Sequence, residues 1–495
     1  MYNIKRMHRK TSKRRQRAQL TFVYMVMTFA VVASVATLMM IVLGYRFNRY
    51  DGKVEQGGLV QFDSRPSGAE VTLDTVHLAN KTASKITATA GAHTVTMTKP
   101  GYMTWRKDVT VKPGSVLWLN YARLLPTDLQ PSTVLSGATV SSSVPSPDNK
   151  WLLVSFVAHE PVLTLVALDN VTLSPVKIAL SATSYTQATD PTTQRFDVLS
   201  WDQDNRYALV KHSYDSTVEY LWIDTHAEDG AVRNVTNLLG VAIQQVAFVL
   251  GDSQSVYIVT DTHELRRGDL NARTLSGPLM TNVASFDQFD RSTVTFVTLP
   301  DATQVRSAGY LTEDAKSPRI VSSKTDDGTA PYAFTLGRYY NNNYAVLSYG
   351  TQAEILKGDL PASDSTAKLD WKRITTLDVP GGAQRVGFSV GENRFVFVQT
   401  STAMKTYDLE LLGTATITGM TSTELEPIWI DGYHLATVAG GVATITDFDG
   451  TNRQIYVAKN AIGLRPVFSN NGKYLYQFVR TADGVALHRF KLSID

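Results

Sequence analysis

FSNNGKYLYQFV, Phe468 to Val479, sets a polar turn directly ahead of an alternating apolar strand. Asn and Gly favour the turn, and the aromatic and β-branched residues after it favour a half-buried strand. The same phrase recurs as SPDNKWLLVSFV from Ser146, LSWDQDNRYALVKH from Leu199 and FVLGDSQSVYIVT from Phe248. It returns as FDQFDRSTVTFVT from Phe286, TLGRYYNNNYAVLSY from Thr335, FSVGENRFVFVQT from Phe388 and IWIDGYHLATVA from Ile428. The apolar strands begin at Trp151, Tyr207, Val256, Val294, Tyr344, Phe395, His434 and Tyr474, about 46 residues apart on average. A four-stranded propeller blade occupies roughly 40–50 residues, so residues 131–495 read as a β-propeller.

Each unit continues with a turn and a third strand ending near an acid, as in LTLVALD, EYLWIDT, AEILKGDL and ATITDFDG. This resembles the WD40- and TolB-like propeller repeat, in which Asx-type turns join the strands of a blade. The expected task of Asp148, Asp204, Asp252, Asn393 and Asn471 is to accept local backbone hydrogen bonds. Eight repeats give eight blades; seven is the alternative, because the units at Phe286 and Thr335 are weakly patterned. The last unit stops after its third strand, and STVLSG, just before the first unit, is placed to supply the fourth and latch the ring.

Upstream, SRPSGAEVTLD, AGAHTVTMTKPGYMTW and LNYARLLP alternate apolar and polar residues between Pro- and Gly-containing turns. Residues 58–126 resemble a PEGA domain, a small β-sandwich of envelope and surface proteins. The matching positions are Pro66, Gly68, Ala69, Leu73, Asp74, Gly91, His93, Gly101 and Tyr102. The chain departs from the family where Thr75 and KTAS stand in place of a Gly and a Thr-Pro pair. Gly68, Gly91 and Gly101 fall at turns, and Tyr102 and Trp105 are expected in the core. The resemblance implies a recognition or spacer module and brings no catalytic residue.

Residues 20–43, LTFVYMVMTFAVVASVATLMMIVL, hold no charge. At 1.5 Å per residue they reach about 36 Å, enough to cross a ~30 Å hydrocarbon layer, and they exceed the ~7–15 apolar residues of a cleaved signal. The basic tail 1–19, including Arg14, Arg15 and Arg17, is topogenic: it predicts a cytoplasmic N-terminus, with everything after Gly44 outside. The bilayer is thus one expected partner, through residues 20–43, and a polar stalk, 44–57, follows. The tail's charge is assigned to topology and lipid headgroups, not to nucleic acid. Of 48 basic residues eight precede the span, against 45 acids in all, so the remainder carries about −5. There is no cysteine, hence no disulfide and no thiol chemistry.

The usual catalytic signatures are missing from the sequence. HEPVL at His159 and HELRR at His263 have only the first two letters of a zinc-helix motif and are expected on exposed strands or turns. DFDGTN at Asp447 and WDQDN at Trp201 lack the later ligands of a calcium loop. No cofactor or metal site is expected. The candidate ligand rim is GRYYNNNY, where Tyr339, Tyr340, Asn341, Asn342 and Asn343 join stacking rings to planar amides; a plain Asn-rich hairpin is the other reading. The expected protein is mainly β: one membrane helix, a PEGA-like sandwich and a propeller. It is read as a non-enzymatic, membrane-anchored recognition or scaffolding protein of a bacterial-type cell envelope, binding protein or wall glycan. A propeller enzyme (lyase, cyclase or hydrolase) and the outer half of a sensor are the alternatives.

Overall fold

The computed structural model describes residues 13–42, 45–47, 54–227, 231–313, 315, 317–326, 328–420 and 423–494. The first helix, α1 (Lys13–Val42), is apolar around its whole circumference over Arg17–Val42, long and apolar enough to cross a membrane. It starts upstream of the expected span, taking in Arg14, Arg15 and Arg17; the tail before Lys13 lies outside the described residues. The expected stalk contains a short ribbon, Tyr45–Phe47 paired with Val54–Gln56.

The chain divides into two compact units, with the boundary after Leu124, two residues earlier than expected. In the first unit, Gly58–Arg65 pairs antiparallel with Ser84–Ala88 and parallel with Val116–Arg123. A second sheet orders Val76–His77, Glu70–Leu73, Gly91–Thr98 and Trp105–Val111. Alternation decides which face is buried: Val60 and Phe62 on one sheet, and Val71, Val95 and Met97 on the other, point into the core. Trp105 and Tyr121 meet edge to face across the two sheets at 5.8 Å, which makes the unit a sandwich.

Among its described residues the second unit holds eight four-stranded sheets, numbered as blades 1 (142–179), 2 (195–234), 3 (243–275), 4 (283–325), 5 (332–378), 6 (385–418), 7 (423–457) and 8 (467–491 with 131–137). All eight apolar strands named above are the second strand of a sheet, from Trp151–Ser155 to Tyr474–Thr481, including the weakly patterned units at Phe286 and Thr335. Pro131–Gly137 adds to Gly484–Lys491 as the outer strand of the eighth sheet, so the two ends of the unit share one blade. Each sheet packs on the next. Leu153, Leu165, Phe196 and Leu221 join blades 1 and 2, for example, and Leu152, Val166, Tyr476 and Leu487 join blade 8 back to blade 1. Between blades 7 and 8, Tyr456 donates its hydroxyl to Gln477 at 2.8 Å and its ring meets Phe490. Burying such side chains contributes ~1.5–3 kcal/mol each. That continuous belt of apolar interfaces is what makes the ring the stable arrangement of sheets that are each apolar on both faces.

The Asx turns behave as expected in three of five cases. Asp148, Asp252 and Asn471 accept backbone N–H groups two residues on. In blade 2 the acceptor is Asp202, bonded by Arg206 and Tyr207, and not Asp204. In blade 6 it is Ser389, bonded by Phe395, while Asn393 donates instead to the Arg338 carbonyl of blade 5. The turns also stitch neighbours: Asn470 of blade 8 donates to the Asp148 carbonyl of blade 1, and the Asp148 N–H donates to Asn205 of blade 2. His159 and His263 lie in turns between strands rather than on strands.

Candidate functional site

The first strand of each sheet is the innermost. Five of them, in blades 2 to 6, line two adjoining cavities of about 490 and 390 Å³ that share Asp287 and Gln288. Both residues end the strand Val283–Gln288, so they sit toward the face of the ring where first-to-second hairpins turn. Gln288 is a clamp: its Nε2 donates to the Phe248 carbonyl at 2.6 Å, and its Oε1 accepts from the Leu250 N–H at 3.0 Å. That double bond to blade 3 fixes the backbone that carries Asp287.

The Asp287 carboxylate accepts the Gln288 N–H at 2.8 Å and faces the channel with no cation at ion-pair distance among the described residues. Its side chain keeps contact with channel water, yet protein walls it on the flanks. Incomplete hydration raises its pKa, against the pull of the Gln288 N–H and the Thr335 hydroxyl. The smaller cavity has an aromatic wall made possible by two glycines. A Cβ on Gly337 would stand 2.5 Å from the Phe388 ring, and one on Gly387 2.7 Å from Phe397. Arg338 lies 5.1 Å above the ring of Phe289, and its Nε donates to Asn343.

Arg465 donates to the Trp429 carbonyl at 3.1 Å, and burial, together with the charge of Arg385, lowers its pKa. Arg385 stands over Phe397, and Glu426 accepts from Gln399. The other acids on first strands have partners: Asp197 accepts from Ser141 and Arg195, and Glu424 from the Gly441 N–H. Among the described residues, Asp287 is thus a cavity-lining carboxylate with no cation at ion-pair distance, set beside an aromatic wall and the Arg338 guanidinium, an arrangement suited to holding a ligand by charge and stacking. No group of three metal-ligating side chains occurs among the described residues.

The expected ligand rim resolves into a two-residue hairpin in which Tyr339 opposes Asn342. Tyr339 is buried and donates its hydroxyl to Glu410 at 3.1 Å, so the rings of Tyr339 and Tyr340 do not form a common exposed platform. Asn341 is a loop residue, Asn342 opens the second strand, and Asn343 is occupied by Arg338. Tyr340 and Asn341 are exposed, and Asn342 and Asn343 are half-buried.

In the sandwich the signature residues do converge. Gly68, Gly91 and Gly101 have φ of 81°, 135° and 80°, a region cheap only for glycine. Pro66 precedes Gly68 in the opening turn, and the buried Ala69 donates its N–H to Thr82. Asp74 binds His93 Nδ1 at 2.7 Å and the Thr94 N–H at 2.8 Å, and His93 Nε2 donates to the Thr89 carbonyl. Tyr102 and Trp105 are buried. This cluster ties two strands and a turn together.

Sequence reasoning passed over Asp287 and Arg338. The available signal was an acid near the end of a first strand, where its siblings carry Ser, Ala or Leu.

A search of curated protein sequences finds no match. Among solved structures, an oligogalacturonate lyase in complex with manganese is similar at TM-score 0.38 and 11% identity, covering 59% of this chain and 87% of that one. The Cps50 (Swd1) β-propeller domain of Myceliophteria thermophila is similar at TM-score 0.38 and 9% identity, covering 65% and 97%. Both are distant, and the propeller reading rests on the strand order above. The family comparison is local and direct: residues 58–124 match the PEGA domain.

Proposed function

We propose that this protein is a membrane-anchored recognition or scaffolding protein that acts outside the membrane and binds protein or wall-glycan partners rather than turning over a substrate. The observation that carries the reading is the channel wall. Its Asp287 carboxylate, with no cation at ion-pair distance among the described residues, its aromatic side and Arg338 supply binding groups on the first strands of the propeller sheets. The PEGA domain and the apolar helix ahead of it fit an envelope-associated propeller protein. The charge asymmetry supports orientation: the basic tail precedes the helix, and the positive side stays in the cytoplasm.

Two measurements test this. Protease added outside intact spheroplasts is expected to digest the bulk of the chain while a tag at Met1 stays protected; a protected C-terminal half refutes the orientation. Full-length protein in detergent is then applied to arrays of wall glycans and envelope peptides. Retention that Asp287→Asn or Arg338→Ala weakens supports recognition through the channel, whereas turnover of a glycan lost in Asp287→Asn moves the reading to the enzyme.

A further inference from the structure

We infer that the hairpin face of blades 5 and 6, with the cavity beside it, docks an extended protein segment that presents a basic side chain next to aliphatic ones.

The argument begins with backbone strain. Left-handed residues in the second unit are mostly Asn, Asp, Gly or other polar types, for which that conformation is cheap. Tyr340 (φ 50°) and Leu412 (φ 58°) are the large apolar residues among them. Tyr340 occupies the first loop position of a two-residue hairpin, a place normally given to Gly or Asn. Leu412 closes a turn in which its N–H bonds the Asp408 carbonyl. Backbone strain of this kind concentrates at binding sites.

The two strained residues are neighbours. Tyr339, adjoining Tyr340, bonds Glu410 in the turn that holds Leu412, and Asn393 ties the next turn to the Arg338 carbonyl. First-to-second and third-to-fourth hairpins open on the same face of an antiparallel blade, so all three turns share it. Tyr340 is 75% exposed, Leu412 63%, Val390 48% and Leu411 40%. The Tyr340 ring leans on that of Tyr339, 4.6 Å between centroids, yet both it and Leu412 project at places where Gly or Asn would relax the chain.

Charge selects the occupant. The turns that carry these residues present Asp290 beside Arg291, and Glu392, while Glu410 is held by Arg394 at 2.7 Å and by the Tyr339 hydroxyl, so the acid left to meet an incoming charge is Asp287 on the cavity wall. Asp287 lies two residues inside the turn at Phe289–Asp290, roughly 7 Å along a strand. That depth suits a lysine or arginine side chain reaching down from a backbone laid across Tyr340 and Leu412. The aromatic wall of Phe388 and Phe289 would flank its aliphatic stem.

This inference rests on the recognition reading, and the experiment separates their failures. Full-length protein in zwitterionic lipid nanodiscs is titrated with three fluorescein-labelled peptides: Leu-Lys-Leu in a Gly/Ser context, and its Lys→Gln and Lys→Glu forms. Binding of the lysine peptide is expected to be about tenfold tighter than that of the glutamine form, and Asp287→Asn is expected to erase the difference. Tyr340→Asn and Leu412→Gly should weaken all binding about tenfold while the melting temperature stays equal to or above that of the parent. Overturning results are equal affinity for the three peptides, loss of binding only alongside a lower melting temperature, a dimer that Leu412→Gly dissociates, or capture by anionic vesicles through Leu412. If the peptides fail while array ligands remain bound to Tyr340→Asn and Leu412→Gly, recognition stands and this face is not its seat.

Discussion

Leu135, near the start of the propeller, lies directly opposite Leu487, near its end. This pairing makes the outer strand of the last blade the first strand of the ring, and Leu487 is buried in the interface that joins blades 8 and 1. Gly137 completes the fit, since a Cβ there would stand 2.5 Å from the Phe156 ring of blade 1. Leu487→Ala is expected to destabilise the ring by ~2–5 kcal/mol. Deleting Pro131–Gly137 bares an edge strand, so that variant should melt less cooperatively and associate with rising concentration. Calorimetry and gel filtration read both effects; an unchanged melt would mean that the latch adds nothing.

A buried ion pair anchors blade 2. His212 Nδ1 meets Glu219 Oε1 at 2.9 Å, and both side chains are almost wholly enclosed. Burial would raise the Glu219 pKa, but bonds from His212, Asn234 and Thr186 bring it down to about 2. Glu219→Gln leaves the imidazole and its neighbours with an unsuitable partner and should cost ~3–5 kcal/mol, measured by urea unfolding. A depressed carboxylate stabilises the fold above its unfolded value near 4.5, so this contribution should fade as pH falls from about 4.5 towards 2.

The sandwich has its own pH signature. Burial alone would lower the His93 pKa, but Asp74 and the Thr89 carbonyl raise it above 6.5. His93 itself, with the Thr94 N–H, lowers that of Asp74 below 3.8. A raised histidine stabilises the fold fully below 6.5, and this is lost as pH climbs through its folded value. A lowered aspartate stabilises above 3.8, and this is lost as pH falls through its own. The unit should therefore be most stable between these limits, and Asp74→Ala should flatten the profile while costing ~1 kcal/mol per bond lost. Melting temperatures of the parent and variant across pH 3–9 decide it; parallel curves count against the pair.

Asp287 carries the opposite sign. Its folded pKa is raised, so the ionised form opposes folding at neutral pH and stability attributable to it grows as pH falls through that value. Asp287→Asn is expected to melt at or above the parent temperature at pH 7 while altering ligand binding. A clearly lower melting temperature would assign the residue to structure instead.

How much of this was legible in advance depended on how far apart the cooperating residues lie. The repeat around Trp151, Tyr207 and Tyr474 was visible because each blade presents the same local problem: a turn, then a strand buried on both faces. Gly68, Gly91 and Gly101 announced their turns for a similar reason, because only glycine adopts their backbone cheaply. At Tyr339–Asn343 composition does not say which ring faces inward; the register Tyr339↔Asn342 decides that.

From the chain of residues alone came the apolar helix, the sandwich, the period of about 46 residues and the strand before the first blade that closes the ring, since each depends on nearest neighbours and on periodicity. Only the tertiary structure decided that eight sheets form, that Gln288 clamps Asp287 into the channel, and that Tyr340 and Leu412 stand together on one face. Those facts arise from blades packing side by side, which brings together residues scores of positions apart through contacts that no local pattern encodes.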